Sequence, residues 1–120
     1  WAHRVWPAAQ VLAQWLDAYP ELVAGRSVLE IGAGAALPSV VAALLGASAV
    51  VVSDWPDAQM LHNIEHNLAA NLPPHYCKRT AVVGYDWNKT PQPLLDAHAA
   101  LDGGERFDLI LLSDLLYECE

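Results

Sequence analysis

The stretch VLEIGAGAALPS, residues 28–39, decides the fold. Its first four residues predict a short strand, and its last residues open an apolar helix with Pro38 in the first turn. Between them, Gly32 and Gly34 allow the backbone to turn sharply and allow a ligand to approach the peptide plane. The stretch therefore predicts a strand–loop–helix unit with a ligand site at the loop, beside the free N–H groups of the helix start.

The same alternation of strand and helix continues along the chain. Strands that are apolar without polar alternation are typical of parallel strands buried on both faces. Because successive parallel strands are joined by right-handed crossovers, the pattern predicts an α/β, Rossmann-like parallel sheet with helices on both faces. The predicted helices cover residues 7–19, 37–45, 57–71 and 93–101, and the predicted strands cover residues 28–31, 49–52, 81–83 and 107–113.

An acidic residue follows the second predicted strand. Asp54 lies 22 residues after Gly32, where a carboxylate can bind both hydroxyls of an adenosine ribose. A dinucleotide-binding loop, G-x-G-x-x-G, would need glycine at Leu37, whereas the G-x-G-x-G loop of S-adenosylmethionine enzymes would need it at Ala36. Both cofactor classes stay open on spacing, as does a glycine-rich turn beside a surface acid with no ligand.

The composition excludes several classes of protein. Hydrophobic residues make up 54% of the chain and charged residues 17%, which is incompatible with disorder. The net charge of −8 and the absence of clustered Lys and Arg argue against nucleic-acid binding. A chain of only 120 residues that is this apolar is expected to contact other protein. Two cysteines without a disulfide framework favour a reducing setting, cytosolic or nuclear, and we expect a cytoplasmic location.

One uncharged stretch of the sequence is a candidate membrane segment. Residues 31–53 carry no charge and are long enough to span a bilayer. Glycines and a proline interrupt the segment, and no Lys/Arg cluster flanks it, so we expect no membrane partner.

One histidine pair resembles a metal motif. HNIEH, residues 62–66, has the H-x-x-E-H spacing of an inverted zinc-protease motif. On the predicted helix, however, His62 and His66 lie away from the apolar face and have no third ligand. A catalytic zinc needs three converging ligands, so we predict exposed histidines and no metal site.

Five motifs in chain order carry a resemblance to a known family: VWPAA (5–9), LEIGAGAALPS (29–39), VVSDWPD (51–57), GYDWN (84–88) and FDLILLSDLLYE (107–118). With them the chain resembles class I S-adenosylmethionine-dependent methyltransferases. More narrowly, it is similar to the seven-β-strand protein lysine methyltransferases, which include fungal proteins labelled nicotinamide N-methyltransferase-like. Residues 37–38 and 55–57 look most like that fungal branch, which is associated with methylating translation elongation factor 1A at its N-terminal amine and a neighbouring lysine.

The resemblance implies S-adenosyl-L-methionine as cofactor and assigns site residues by their matching positions. Asp114 and Tyr117 match an element that faces the substrate amine, and the alternative is a helix N-cap and an apolar neighbour. For two of the cofactor residues, Trp6 could instead anchor the first helix, and Trp87 could instead pack in the core. The implied cofactor-binding residues are Trp6, Gly32, Ala33, Gly34, Asp54, Trp87 and Ser113.

The resemblance further implies a methyl transfer to a protein amine, lysine or N-terminal, with translation elongation factor 1A as the expected substrate. Ala36 in place of a third glycine and the Tyr117–Glu120 ending depart from the branch. Three alternatives remain: a nicotinamide-type small-molecule N-methyltransferase, a nicotinamide-dinucleotide oxidoreductase, and a non-catalytic binding module. Residues 1–120 are expected to form the first four strands, in the order 3-2-1-4, of a seven-strand domain that is inactive without the rest.

Overall fold

The fold is described by a computed structural model in which residue 5 and residues 7–113 are placed. Strands and helices alternate after an initial helix, as the sequence predicts. The helices are α1 (Pro7–Ala18), α2 (Leu37–Leu44), α3 (Ala58–Asn71), α4 (Pro74–Cys77) and α5 (Gln92–Ala100), and the strands are β1 (Ser27–Ile31), β2 (Ala49–Asp54), β3 (Thr80–Gly84) and β4 (Leu109–Leu112).

All strand pairs are parallel, and the sheet order is β3-β2-β1-β4. The predicted fold class and strand order are therefore confirmed. Each strand that leads to a helix ends at the same edge of the sheet, since parallel strands share one direction. This carboxyl edge carries the Gly32–Ala36 loop after β1 and Asp54 at the end of β2.

The core lies on both faces of the sheet. Val28, Val50 and Val52 pack on one face with residues of α1, α2 and α3. Leu29 and Val51 point to the opposite face and pack against Leu94 of α5. Because successive side chains of a strand alternate between faces, a strand with apolar residues on both faces must be covered on both sides, and β1 and β2 are buried on both faces.

Three details differ from the sequence-based expectation. A 3-10 turn, Pro20–Leu22, and the short helix α4 were not predicted. The fourth strand begins at Leu109 instead of residue 107, because the Asp108 carboxylate accepts a hydrogen bond from the Ser27 N–H (2.9 Å) and closes the start of β1. The apolar face expected on α1 is only half covered: Leu16 is buried, whereas Val11, Trp15 and Tyr19 are exposed.

The uncharged segment 31–53 is divided between the end of β1, the loop, α2 and most of β2. In the part of the chain that the structure describes, no helix has the length and hydropathy needed to cross a membrane.

Candidate cofactor site

The loop between β1 and α2 is held in a conformation that glycine favours. Gly32 has φ 66°, Gly34 has φ 57° and Ala36 has φ 63°, all in the left-handed region. The loop is fixed to the neighbouring strand by a hydrogen bond from the Ala33 N–H to the Ser53 carbonyl (3.0 Å). These alternating turns bring the backbone of the loop to the carboxyl edge of the sheet, beside the end of β2.

Asp54 contacts this loop directly. Its Oδ2 accepts a hydrogen bond from the Gly34 N–H (2.8 Å), and its Oδ1 accepts one from the Trp55 N–H (2.7 Å). The side chain is half-buried. A carboxylate has about four acceptor positions, so each oxygen keeps one for a further donor. Asp54 is thus oriented by two backbone groups and can still accept two hydroxyl groups of a ribose.

Two tryptophans follow the carboxyl ends of β2 and β3 in the chain. Trp55 follows Asp54 directly, and Trp87 lies three residues beyond Gly84, which pairs with Asp54 in the β2–β3 ladder. Both are 55% exposed. Trp87 is therefore not packed in the core formed by the described residues, and its indole is accessible to a flat ring.

The remaining site residues divide into those described and those not. Ile31 pairs with Leu112, so Ser113 comes next to Gly32 in the continued β1–β4 register and is half-buried. Trp6, Asp114 and Tyr117 lie outside the described residues, and their predicted roles stay predictions.

Glu30 is a buried acid that no sequence motif identified as a site residue. It is fully inaccessible, and its Oε2 accepts a hydrogen bond from the Ser39 hydroxyl in the first turn of α2 (3.2 Å). Its Oε1 has no hydrogen-bond partner among the described residues. The pKa of Glu30 is raised to about 8, chiefly by burial and to a smaller extent by the nearby Asp54 carboxylate, while the Ser39 hydrogen bonds oppose the rise. The one available signal was a single acid within an apolar strand.

The histidine pair on α3 is exposed, as predicted, because Ile64 and Leu68 form the buried face of that helix. Within the described residues, no group of three or more His, Cys, Asp or Glu side chains is placed to hold a metal ion.

Taken together, the carboxyl edge presents an oriented carboxylate, a glycine loop whose backbone a ligand can approach closely, and two exposed indoles. A carboxylate suits a vicinal diol, and the face of an indole suits an aromatic base. These groups fit the adenosine part of a nucleoside cofactor.

The sequence is similar to those of known methyltransferases. The sequence profile of a family described as lysine methyltransferase matches residues 1–120. A protein N-terminal and lysine N-methyltransferase EFM7 of Candida glabrata is 45% identical over 117 residues, covering 98% of this chain and 44% of the relative. The protein of the same name from Eremothecium gossypii is 46% identical over 121 residues, covering 98% and 45%. The chain thus spans less than half the length of these curated relatives.

Solved structures share the fold. An O-methyltransferase from Bacillus cereus in complex with SAH superposes with a TM-score of 0.56 at 19% identity, covering 93% of this chain and 46% of that one. A candidate RNA methyltransferase from Pyrococcus horikoshii gives a TM-score of 0.60 at 21% identity, covering 88% and 42%. At such identities the likeness shows the fold alone.

Proposed function

Since the chain belongs to the lysine methyltransferase family, we propose that it forms the S-adenosylmethionine-binding part of an enzyme that methylates a protein amine. The observation that carries the proposal is the contact between the Gly34 N–H and the Asp54 carboxylate, which joins the glycine loop to the acid at the sheet edge. The coverage of the relatives supports assigning residues 1–120 to the cofactor-binding part of a larger domain.

In this proposal each described residue has a separate task. Asp54 binds the ribose hydroxyls, Trp87 contacts the adenine, and the loop at Gly32, Ala33 and Gly34 approaches the methionine part closely. Ser113 closes the site from the end of β4. When bound, S-adenosylmethionine supplies an electrophilic methyl group, which an amine lone pair attacks as the carbon–sulfur bond breaks and S-adenosylhomocysteine leaves.

The acceptor must be a neutral amine, and the two candidate amines differ in what they require. Deprotonating a lysine at pH 7 costs about 4.6 kcal/mol, and an α-amine costs only about 1.1 kcal/mol. We assign the amine-facing role to Asp114 and Tyr117 by their matching positions: the carboxylate accepts a hydrogen bond that aims the lone pair, and the proton leaves to water.

The names of the relatives support a protein substrate that carries a lysine or a free N-terminus. Translation elongation factor 1A is the first substrate to test, because the resemblance to the fungal branch implies it. A cytoplasmic location would fit such a substrate.

The cofactor assignment is tested on the full-length protein by calorimetry with S-adenosylhomocysteine. Asp54→Ala removes two hydrogen bonds to a charged acceptor, each contributing about 1.5–3 kcal/mol, so affinity should fall ten-fold or more. Asp96→Ala on the exposed face of α5 is the matched control and should bind like the wild type. Unchanged affinity in Asp54→Ala would overturn the site, and tighter binding of a nicotinamide dinucleotide would overturn the cofactor class.

The acceptor is tested with radiolabelled S-adenosylmethionine and three acceptors: nicotinamide and two peptides that differ only at the N-terminus and at one internal position. One peptide has a free N-terminus and no lysine, and the other has an acetylated N-terminus and one lysine. Labelling of either supports a protein amine acceptor, whereas labelling of nicotinamide alone would favour the small-molecule alternative.

A further inference from the structure

Gly84 lies at the end of β3, where it faces the turn that follows Asp54. A Cβ atom at this position would lie 2.9 Å from the Pro56 Cβ, 3.0 Å from the Pro56 Cα and 3.1 Å from the Leu61 Cδ1. Real Cβ atoms essentially never show the first of these distances, and the other two are tighter than most, so glycine allows the turn to sit against the strand without displacing it. Glycine is required here for space, since its φ is not in the left-handed region.

The turn over Gly84 is the one that orients the Asp54 carboxylate. The Trp55 N–H donates to Asp54 Oδ1 (2.7 Å), and the Trp55 carbonyl accepts from the Asp57 N–H (2.7 Å). On the strand side, the Tyr85 N–H donates to the Asp54 carbonyl (2.8 Å). The main chain of Asp54 is therefore fixed to β3, while one of its carboxylate oxygens is fixed by the turn.

The far side of the turn is held as well. Asp57 caps α3, because its side chain accepts a hydrogen bond from the Met60 N–H (3.0 Å). Residues 55–57 are thus confined between the helix start and the bare backbone of Gly84. A methyl group at Gly84 would displace Pro56, and the displacement would pass through one peptide unit to the Trp55 N–H.

We propose that Gly84 is a positioning residue for the cofactor: it lets Pro56 pack on β3, so that the Trp55 N–H and its indole are held in register with the Asp54 carboxylate. The inference rests on the proposed function, because it assigns Gly84 an effect on the ribose-binding acid. It goes beyond that function in placing a determinant of cofactor affinity outside the loop and the acid themselves.

The test is a double-mutant cycle on the full-length protein with S-adenosylhomocysteine as the calorimetric probe. Gly84→Ala should weaken binding by about ten-fold, the order of one lost hydrogen bond to a charged group. In an Asp54→Asn background, which no longer offers an aimed carboxylate, the same change should weaken binding by less than about two-fold. A general loss of stability would lower affinity equally in both backgrounds.

Two further variants keep the test decisive. Gly46→Ala strains a left-handed glycine at the opposite edge of the sheet, where a Cβ meets open space, so it should lower the melting temperature and leave affinity unchanged. Pro56→Gly removes the contacting Cβ from an exposed residue and frees the turn, so it should weaken binding even if Gly84→Ala fails to fold.

The outcomes separate the two claims. If Asp54→Asn binds as the wild type does, the proposed cofactor site is wrong. If Asp54→Asn weakens binding while Pro56→Gly and any folded Gly84→Ala retain wild-type affinity, the positioning role is overturned and the cofactor site stands.

Discussion

Two regions of the molecule each enclose one buried ionisable side chain. One is the glycine loop at the end of β1, and the other is the connection between α5 and β4, residues 101–108. In the first, Glu30 accepts a hydrogen bond from Ser39, and burial raises its pKa to about 8. In the second, His98 is fully inaccessible, and burial lowers its pKa, with a smaller opposing effect of Asp108. Both shifts favour the neutral form, since desolvation disfavours charge of either sign.

The two regions differ in how the buried group is held. Polar groups from β1, β2 and α2 converge around Glu30, including a hydrogen bond from the Ser53 hydroxyl to its carbonyl (2.8 Å). His98 is held by shape: its ring stacks on Phe107 with centroids 4.2 Å apart, and neither ring nitrogen has a hydrogen-bond partner in the described part of the chain. The region with the candidate site is thus distinguished by several polar groups around its buried acid. The region around His98 is distinguished by packing against an aromatic ring.

The largest expected effect concerns the pH dependence of stability at Glu30. Its pKa is higher in the folded protein than the usual glutamate value of 4.5, so the folded state holds a proton that the unfolded state releases. The free energy of unfolding should therefore fall as pH rises from about 4.5 to about 8, by about 3 kcal/mol at pH 7.

This dependence is measured by denaturant unfolding of the full-length protein between pH 4 and pH 9. Glu30→Gln should remove the decline, and Glu65→Gln on the exposed face of α3 should leave the profile as in the wild type. A Glu30→Gln profile that keeps the wild-type slope would show that the buried carboxyl is not its source.

The next effect tests packing by shape in the other region. A Cβ at Gly103 would overlap Cδ2, Nε2 and Cγ of the His98 ring. Overpacking of this kind costs about 1–3 kcal/mol, so Gly103→Ala should lower the free energy of unfolding by that amount. In a His98→Ala background the ring is absent, and the same substitution should have little effect. Equal losses in both backgrounds would contradict the contact as the cause.

Much of the fold could be predicted because β1 and β2 are mostly apolar and are separated by a helix with clear ends. Pro38 and Gly46 bound α2 in the sequence, and the observed helix ends within one or two residues of both. The start of β4 could not be predicted, since it depends on Asp108 reaching Ser27, 81 residues away.

The candidate site likewise contains features that the sequence predicts and features that it does not. Gly32, Gly34 and Asp54 were found because spacing along one strand–loop–helix unit is a local property. The burial of Glu30, the exposure of Trp87 and the contact of Gly84 with Pro56 depend on neighbouring strands, and no local pattern encodes them. For Trp87, the residue type itself suits core and ligand equally.

The smallest expected effect concerns Ala36, the departure from the third glycine of the loop. Its φ of 63° costs a residue other than glycine about 1–2 kcal/mol, and its methyl group is fully buried. Ala36→Gly relieves this strain, but it loses about 0.8 kcal/mol of methyl burial. It also gives the unfolded chain about 0.4–1 kcal/mol of additional freedom. These effects oppose one another, so the free energy of unfolding should change by less than about 1 kcal/mol.

Ala33→Gly in the same loop is the matched control, because Ala33 is also buried but its φ is not left-handed. With no strain to relieve, Ala33→Gly should destabilise the protein by about 1–2 kcal/mol in the same denaturant titration. Equal destabilisation by the two substitutions would show that the loop holds Ala36 without strain.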